Sequence, residues 1–223
     1  MFPRLRSLAL AFTLVVALTP SFTRADEPAN IYYLKRDLNT YVKSGEYAKA
    51  VAKIALQADK YLVRRLGHPA PKGKKLAIVF DIDETTLSNL DHIVANDYGY
   101  VPEVWNKWIA AGRAPAIFPI QTVYDTAVRG KIAVFFITGR SEHDRAATER
   151  NLRDVGYDTW TNIFYMPTDN PLLTTVGFKT DTRRKLMADG YIIVANIGDQ
   201  ISDVANGYAE RYFLLPNPFY KVY

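Results

Sequence analysis

Several short apolar runs along the chain lack polar alternation, which predicts buried β-strands. These runs cover residues 76–80, 131–137, 162–166 and 191–197, and a shorter run covers 211–215. Between them, segments 120–128, 141–155 and 178–189 have patterns typical of helices. Strands without alternation, separated by amphipathic helices, indicate a parallel sheet covered by helices on both faces. The pattern therefore predicts an α/β fold with a Rossmann-like sheet.

The segment before the first strand predicts helices only. Apolar residues recur at helical spacing across 30–66, and Gly67 ends the pattern. Ser44 and Gly45 interrupt it, so we expect two helices separated there. Residues 26–75 are accordingly expected to form an N-terminal helical extension of the sheet.

The first 25 residues have the pattern of a secretory leader. Arg4 and Arg6 precede an apolar run over 8–18, and Thr23-Arg24-Ala25 forms a small-x-small ending. We expect residues 1–25 to be a signal peptide that is cleaved before Asp26, which implies a periplasmic or secreted protein. The alternative is an uncleaved anchor, but the run is shorter than the ~20 residues that a membrane-spanning helix needs. Because no second long apolar run follows, no membrane association is expected after cleavage.

Charge and composition restrict the classes of function. The chain has 223 residues, of which 48% are hydrophobic and 23% are charged, as in ordinary globular proteins. Its formal charge of +5 includes three arginines of the leader, so the mature chain carries 25 basic and 23 acidic residues. Such a small excess gives no electrostatic reason to expect a nucleic-acid partner. The absence of cysteine excludes disulfides, a thiolate nucleophile and a cysteine metal site. The oligomeric state is not indicated by the sequence.

Polar side chains follow three of the predicted strands at the point where each strand ends. The residues are Asp81 and Asp83 after the first strand, Thr138 after the second, and Asp199 and Asp203 after the fourth. Because the carboxyl ends of parallel strands form one edge of a sheet, we expect these side chains to converge. Converging carboxylates repel one another unless a cation lies between them. Oxygen ligands of this kind suit Mg²⁺, which commonly also binds substrate phosphate.

A phosphate-containing substrate would need further partners at the same edge. We expect Lys179, at the start of the helix over 178–189, and the hydroxyl and amides of Thr138 and Gly139 to contact phosphate oxygens. Arg140 is open to two interpretations, a phosphate contact or an ion pair within the protein. Lys179 is also interpretable as an exposed lysine, and Asp203 as a brace for the Asp199 loop.

These residues resemble the four ordered motifs of the haloacid dehalogenase (HAD) superfamily. The motifs are Asp81-Ile-Asp83-Glu-Thr-Thr, Thr138 at a strand end, Lys179 near a helix start, and Gly198-Asp199-Gln-Ile-Ser-Asp203. The stretches "FDIDETTLSN", "NIGDQISD" and "LLPNPFY" are most similar to its exported acid phosphatase branch. That branch includes plant vegetative storage proteins and bacterial class B and class C acid phosphatases. The resemblance begins near residue 31 and implies a HAD-like phosphatase core over 76–223.

The resemblance also implies a mechanism and a role for each motif residue. Asp81 would be the nucleophile that forms an aspartyl-phosphate, and Asp83 would be the general acid and base. Thr138, Gly139 and Lys179 would hold the phosphoryl oxygens. Mg²⁺ would be bound by Asp81, the backbone carbonyl of Asp83, Asp199 and Asp203, the last in or just behind the first shell. The implied activity is hydrolysis of small phosphate monoesters by a Mg²⁺-dependent acid phosphatase.

The segment of about 90–118 would form a small cap over the site in this family. Tyr98, Tyr100, Trp105 and Trp108 would then stack on the leaving group of an aryl phosphate or a nucleotide. Alternatively, Trp105 and Trp108 only pack the cap onto the sheet.

Two other functions use the same residues. Some relatives in this branch are storage proteins that have lost the catalytic aspartate, so a storage or binding protein with a vestigial site is one alternative. The presence of both Asp81 and Asp83 favours an enzyme. A phosphotransferase that passes the phosphoryl group to an alcohol is the other alternative, and it differs only in what attacks the intermediate.

Overall fold

The computed structural model describes residues 26–170 and 172–222, so the predicted signal peptide, residues 1–25, lies outside the described residues. Within these ranges the strands form one five-stranded parallel sheet with the order β3-β2-β1-β4-β5. The strands are β1 (Lys75–Phe80), β2 (Ala133–Ser141), β3 (Asn162–Met166), β4 (Tyr191–Gly198) and β5 (Tyr212–Leu214). The predicted α/β fold with a parallel sheet is therefore confirmed.

Helices precede and connect the strands. They are α1 (Ile31–Lys43), α2 (Glu46–Leu66), α3 (Leu90–Ala95), α4 (Pro102–Ala111), α5 (Phe118–Arg129), α6 (Arg145–Asp154), α7 (Thr175–Ala188) and α8 (Ile201–Val204). The break between α1 and α2 falls at Ser44 and Gly45, as the sequence predicts. Gly45 has φ 77°, in the left-handed region that glycine adopts without steric cost.

Helices cover both faces of the sheet, and this explains why the strands lack alternation. Successive strand residues point to opposite faces. Ile78 and Phe80 of β1 belong to the core that contains the buried residues of α2 and α5. Ala77 and Val79 belong to a second core, closed by Phe178 and Leu186 of α7. Both sets of side chains are buried, which explains why every residue of β1 after Lys75 is apolar.

The end of β2 differs from the prediction. We expected the strand to stop at 137 and a helix to begin at Ser141, whereas β2 continues to Ser141 and α6 begins at Arg145. Thr138 pairs with Tyr165 and Ser141 with Met166, and the register shifts between these two pairs. Ser141 then caps the short 3₁₀-helix Glu142–Asp144, because the Asp144 carboxylate accepts both its N–H and its hydroxyl. Thr138 therefore lies inside β2, just before an irregularity formed by residues 139–140.

The segment between β1 and α5 contains α3 and α4, in the region expected to form a cap. The N-terminal helices contribute to the main core, where Val51, Ala58 and Leu62 of α2 are buried. The division into an extension over 26–75 and a core over 76–223 stays a prediction. Among the described residues, no helix combines the length and the apolar character that crossing a membrane requires.

Candidate active site

A cavity of about 550 Å³ opens at the carboxyl edge of the sheet. Two groups of residues form it. The carboxylate floor comprises Asp81, Lys179 and Asp199, which line the cavity, together with the neighbouring Asp203. The aromatic mouth comprises Tyr98, Tyr100, Trp105 and Phe219.

Asp81 occupies the first position after β1 and is held there by its backbone. Its N–H donates to the carbonyl of Ile197 in β4 at 2.9 Å, and its carbonyl accepts the hydroxyl of Thr86. Its carboxylate accepts a hydrogen bond from Lys179 Nζ at 2.5 Å. The main chain of β1 and β4 therefore holds in place the residue for which the family resemblance predicts the role of nucleophile.

Lys179 lies one turn into α7, because the helix begins earlier than the sequence predicts. Thr174 caps α7 by accepting the N–H of Gly177 at 3.1 Å. The Lys179 ammonium is buried and donates to both Asp81 and Asp203. Burial alone would lower the pKa of Lys179, but these two carboxylates raise it well above its usual value. Lys179 is therefore a permanent positive charge in the floor and not an exposed lysine.

Three buried carboxylates meet beside this ammonium. Oxygen atoms of Asp81, Asp199 and Asp203 all lie within 4.8 Å of one another. Burial and the charge of Asp203 raise the pKa of Asp199 to about 6, although the amides of Asn217 and Gln200 donate to it, each at 2.7 Å. Burial also raises the pKa of Asp81 in spite of Lys179, and the neighbouring carboxylates add to the effect.

The floor has the chemistry of a site for a hard divalent cation. Three carboxylates against one ammonium leave a negative excess in a buried place, which is costly unless another cation neutralises it. Carboxylate oxygens are the donors that Mg²⁺ prefers. The donor set therefore fits the predicted ion, although it does not identify the metal.

Asp83 lies next to this cluster, but its carboxylate points to a different partner. Arg140 donates to it through Nη2 at 2.7 Å and through Nε at 3.1 Å. Burial would raise the pKa of Asp83, yet Arg140 and the amide of Asn89 outweigh it and lower the pKa. Arg140 is buried and also donates to Thr148 of α6 at 3.0 Å. Of the two interpretations of Arg140, the structure supports the internal ion pair.

Thr138 and Gly139 are placed differently from each other. Thr138 is fully buried, and its hydroxyl oxygen accepts the N–H of Arg140 at 3.0 Å. Gly139 is exposed at the cavity wall. The irregularity of β2 at residues 139–140 therefore exposes one residue and directs the next toward Asp83.

Sequence reasoning missed a group of polar residues behind Asp83. The carboxylate of Glu84 is completely buried and accepts the N–H of Asn89 at 2.5 Å and the hydroxyl of Tyr220 at 2.7 Å. Burial and the charge of Asp83 raise the pKa of Glu84 to about 8, although both hydrogen bonds lower it. These residues lie within the quoted stretches "FDIDETTLSN" and "LLPNPFY", but their spacing carries no signal that they meet.

The two tryptophans of α4 have separate roles. Trp105 lines the cavity, whereas Trp108 stacks on the ring of His92 with centroids 5.3 Å apart. Trp108 also donates its indole N–H to the side-chain carbonyl of Asn89 at 2.7 Å. On the opposite side, Tyr98 stacks on Phe219 at 6.1 Å. Trp108 therefore packs α4 onto the core, and Trp105 faces the cavity.

Comparison with known proteins places this geometry in a family. Residues 24–223 match the HAD superfamily, subfamily IIIB (Acid phosphatase). The chain is 35% identical over 185 residues to Stem 28 kDa glycoprotein of Glycine max, covering 80% of this chain and 71% of that protein. It is 34% identical over 148 residues to Acid phosphatase 1 of Solanum lycopersicum, covering 65% of this chain and 58% of that protein.

A more distant relative and a solved structure complete the comparison. Vegetative storage protein 1 of Arabidopsis thaliana is 32% identical over 148 residues, covering 65% of this chain and 54% of that protein. The class C acid phosphatase from Bacillus anthracis has a TM-score of 0.69 at 23% identity, covering 84% of this chain and 85% of that one, which shows a shared fold. The chain therefore belongs to the HAD superfamily, subfamily IIIB, the acid phosphatases, and the family expected from its motifs is confirmed.

Proposed function

We propose that this protein hydrolyses phosphate monoesters through an aspartyl-phosphate formed on Asp81, with Mg²⁺ as its divalent cation. One observation carries the proposal. A buried carboxylate at the floor of the cavity is paired with Lys179, and a second carboxylate two residues later is held by Arg140 at the same cavity. This arrangement offers a nucleophile and a separate proton donor to one substrate.

In the first step, a carboxylate oxygen of Asp81 attacks phosphorus and the bond between phosphorus and the leaving oxygen breaks. Asp83, whose pKa Arg140 lowers, must take up a proton before this step; it gives that proton to the leaving oxygen, so an alcohol departs and Asp83 returns to the ionised form. The ammonium of Lys179 stabilises the negative charge on the transferring group because it is already in place before the reaction. The products are an alcohol and a phosphorylated Asp81.

In the second step, water attacks the phosphorus of the aspartyl-phosphate. Asp83 accepts a proton from this water, the acyl-phosphate bond breaks, and inorganic phosphate leaves. The carboxylate of Asp81 and the protonated state of Asp83 are both restored. The use of one group first as acid and then as base explains why a phosphatase needs Asp83 as well as the nucleophile.

Asp81, Asp199, Asp203 and the backbone carbonyl of Asp83 would hold Mg²⁺. When bound, the ion supplies positive charge against the phosphate oxygens and the neighbouring carboxylates. The energetic demand is large, since phosphate monoester hydrolysis is accelerated by up to ~10²¹-fold, or about 29 kcal/mol. General acid and base catalysis contributes only about 10²- to 10⁴-fold. Most of the acceleration must therefore come from positioning and from the charges of the floor.

The aromatic mouth supports phosphate esters of aromatic alcohols or nucleosides as substrates. Rings of Tyr98, Trp105 and Phe219 line the cavity above the floor. Aromatic faces bind flat apolar groups with a gain of about 0.5–1.5 kcal/mol per well-placed pair. The predicted leader over 1–25 supports a periplasmic or secreted location, where such small esters would be hydrolysed.

The decisive experiment is the substitution Asp81→Asn, assayed with p-nitrophenyl phosphate in the presence of Mg²⁺. The amide retains the volume of the side chain but is a far weaker nucleophile, so hydrolysis should fall to background. Asp181→Asn is the matched control, because Asp181 is an exposed residue of the same helix as Lys179 and pairs with Arg184. Unchanged turnover in Asp81→Asn, with circular dichroism matching that of the parent protein, would contradict the proposal.

The similarity to a vegetative storage protein supports a second candidate, a storage protein whose site is vestigial. The same assay separates the two, because a storage protein would give no turnover in the unsubstituted chain. Phosphotransfer is distinguished by adding an alcohol such as a nucleoside. A new phosphate ester among the products would show that the intermediate passes to the alcohol as well as to water.

A further inference from the structure

Asn89 lies at a junction between the cap and the two acidic residues of the first motif. Its backbone N–H donates to Glu84 Oε1 at 2.5 Å, and its side-chain Nδ2 donates to Asp83 Oδ1 at 2.8 Å and to Glu84 Oε2 at 3.2 Å. Its Oδ1 accepts the indole N–H of Trp108 at 2.7 Å. The residue is completely buried, and each of its side-chain polar atoms has a partner.

Trp108 determines which way the Asn89 amide faces. An indole N–H donates and cannot accept, so the atom of Asn89 that faces Trp108 must be the oxygen. The NH₂ group then faces Asp83 and Glu84. The reversed amide would place two donors together at Trp108 and turn a carbonyl oxygen toward the Asp83 carboxylate, which leaves buried groups unsatisfied. The position of Trp108 is itself secured by its stacking on His92.

The contacts of Asn89 make the two oxygens of Asp83 unequal. Oδ1 accepts Asn89 Nδ2 at 2.8 Å and Arg140 Nη2 at 2.7 Å. Within the described chain, Oδ2 accepts only Arg140 Nε, at the longer distance of 3.1 Å. Oδ1 is therefore saturated by donors, whereas Oδ2 keeps capacity for one more hydrogen bond. The Asp83 side chain is 18% exposed and lines the cavity, so a substrate can reach its carboxyl group.

We propose that Asn89 is a positioning residue for the general acid. It holds Oδ1 of Asp83 so that Oδ2 is the oxygen left for the leaving group, and Trp108 of the cap sets the orientation of its amide. The cap is in this way connected to the proton-transfer step as well as to substrate binding. This inference rests on the proposed function, because it assigns a role within the first step of that reaction.

The test is a series of aryl phosphates whose leaving groups need different amounts of protonation. 2,4-Dinitrophenol departs readily as an anion, p-nitrophenol less so, and phenol requires a proton. Trp108→Phe removes the indole N–H and retains an aromatic ring. We expect kcat for phenyl phosphate to fall by about tenfold or more, a part of what general acid catalysis contributes, and kcat for 2,4-dinitrophenyl phosphate to fall less than about threefold. KM should change little for both.

Asn89→Leu is the second variant and should give a steeper dependence on the leaving group than Trp108→Phe. If Asn89→Leu fails to fold, the leaving-group dependence of Trp108→Phe is sufficient to test the inference. Trp160→Phe is the matched control, since Trp160 contacts Phe136 and Arg153 away from the cavity. Equal losses on all three substrates in Trp108→Phe would overturn the inference. Absence of turnover in the unsubstituted protein would instead overturn the proposed function.

Discussion

The carboxylate floor and the aromatic mouth are two halves of one cavity, yet they are built in different ways. The floor lies at the ends of β1 and β4 and on α7, and its side chains are buried and joined by charged hydrogen bonds. The mouth lies on short helices and irregular segments, and its contacts are ring against ring. Tyr100 of the mouth is 71% exposed.

The difference shows where this protein needs rigidity. Charges in a buried site interact strongly because little water screens them, so a small displacement alters both stability and catalysis. Rings that bind a leaving group gain a modest amount each and tolerate movement. We therefore expect substitutions in the floor to have large effects on both properties and substitutions in the mouth to have small effects on binding alone.

The largest of these effects is expected for Lys179→Met. The variant leaves Asp81 and Asp203 without their shared cation, and removal of one partner from a buried ion pair typically costs about 3–5 kcal/mol of stability. Hydrolysis of p-nitrophenyl phosphate should also fall by several orders of magnitude, since a preorganised charge is lost. Urea unfolding in EDTA measures the first effect, and steady-state kinetics with Mg²⁺ measures the second.

Lys185→Met is the control for Lys179→Met, because Lys185 lies on the same helix and pairs with Asp189 at the surface. Its effect on stability should be below about 1 kcal/mol. Added Mg²⁺ should stabilise Lys179→Met more than the unsubstituted protein, because the ion then neutralises more unpaired charge. Equal stability of the two variants in EDTA would show that the stability of the floor does not depend on the buried charge of Lys179.

An intermediate effect is expected at Glu84, behind the floor. Its pKa is about 8 in the folded protein against 4.5 when unfolded, so the folded state retains a proton that the unfolded state loses. The stabilising contribution is complete below about pH 4.5 and is lost as the pH rises toward 8. Within that window the free energy of unfolding should fall by up to about 1.4 kcal/mol per pH unit from this group.

Glu84→Gln isolates that contribution, because the amide does not titrate. In EDTA, the unsubstituted protein should lose stability relative to Glu84→Gln as the pH is raised from 5 to 8, measured by urea unfolding at each pH. Asp199 also has a raised pKa, and it is present in both proteins, so the difference between them reports mainly on Glu84. Glu142→Gln, on the exposed 3₁₀-helix, should leave the pH dependence unchanged. Parallel curves for the parent and Glu84→Gln would mean that Glu84 is ionised in the folded protein.

The floor could be predicted from the sequence for a geometric reason. Parallel strands end at one edge of the sheet, so Asp81 and Asp199 had to approach each other once the strands were recognised. The fold followed from the same apolar runs. The positions of Asp81 and Asp199 in the site agree with that reasoning, although the roles of these two residues stay a proposal.

The partners behind the floor could not be predicted, because they depend on local irregularities and on side-chain orientation. Arg140 reaches Asp83 only because β2 continues beyond Thr138 and its register shifts there. Tyr220 reaches Glu84 only because the segment after β5 returns across the cavity. Periodicity in the sequence predicts neither of these two contacts, because each contact joins residues from different elements.

The smallest effect is expected in the aromatic mouth, for Tyr100→Ala. Tyr100 contacts Trp105 with ring centroids 6.3 Å apart and is otherwise largely exposed, so its loss should leave the free energy of unfolding unchanged. If its ring stacks on the leaving group, KM for phenyl phosphate should rise by about two- to tenfold, which corresponds to 0.5–1.5 kcal/mol, at constant kcat. An alkyl ester such as glycerol 2-phosphate offers no ring, and its KM should not change. Equal changes in KM for the aryl and the alkyl ester would show that Tyr100 does not select the leaving group, and selection would then depend on Trp105 and Phe219 deeper in the cavity.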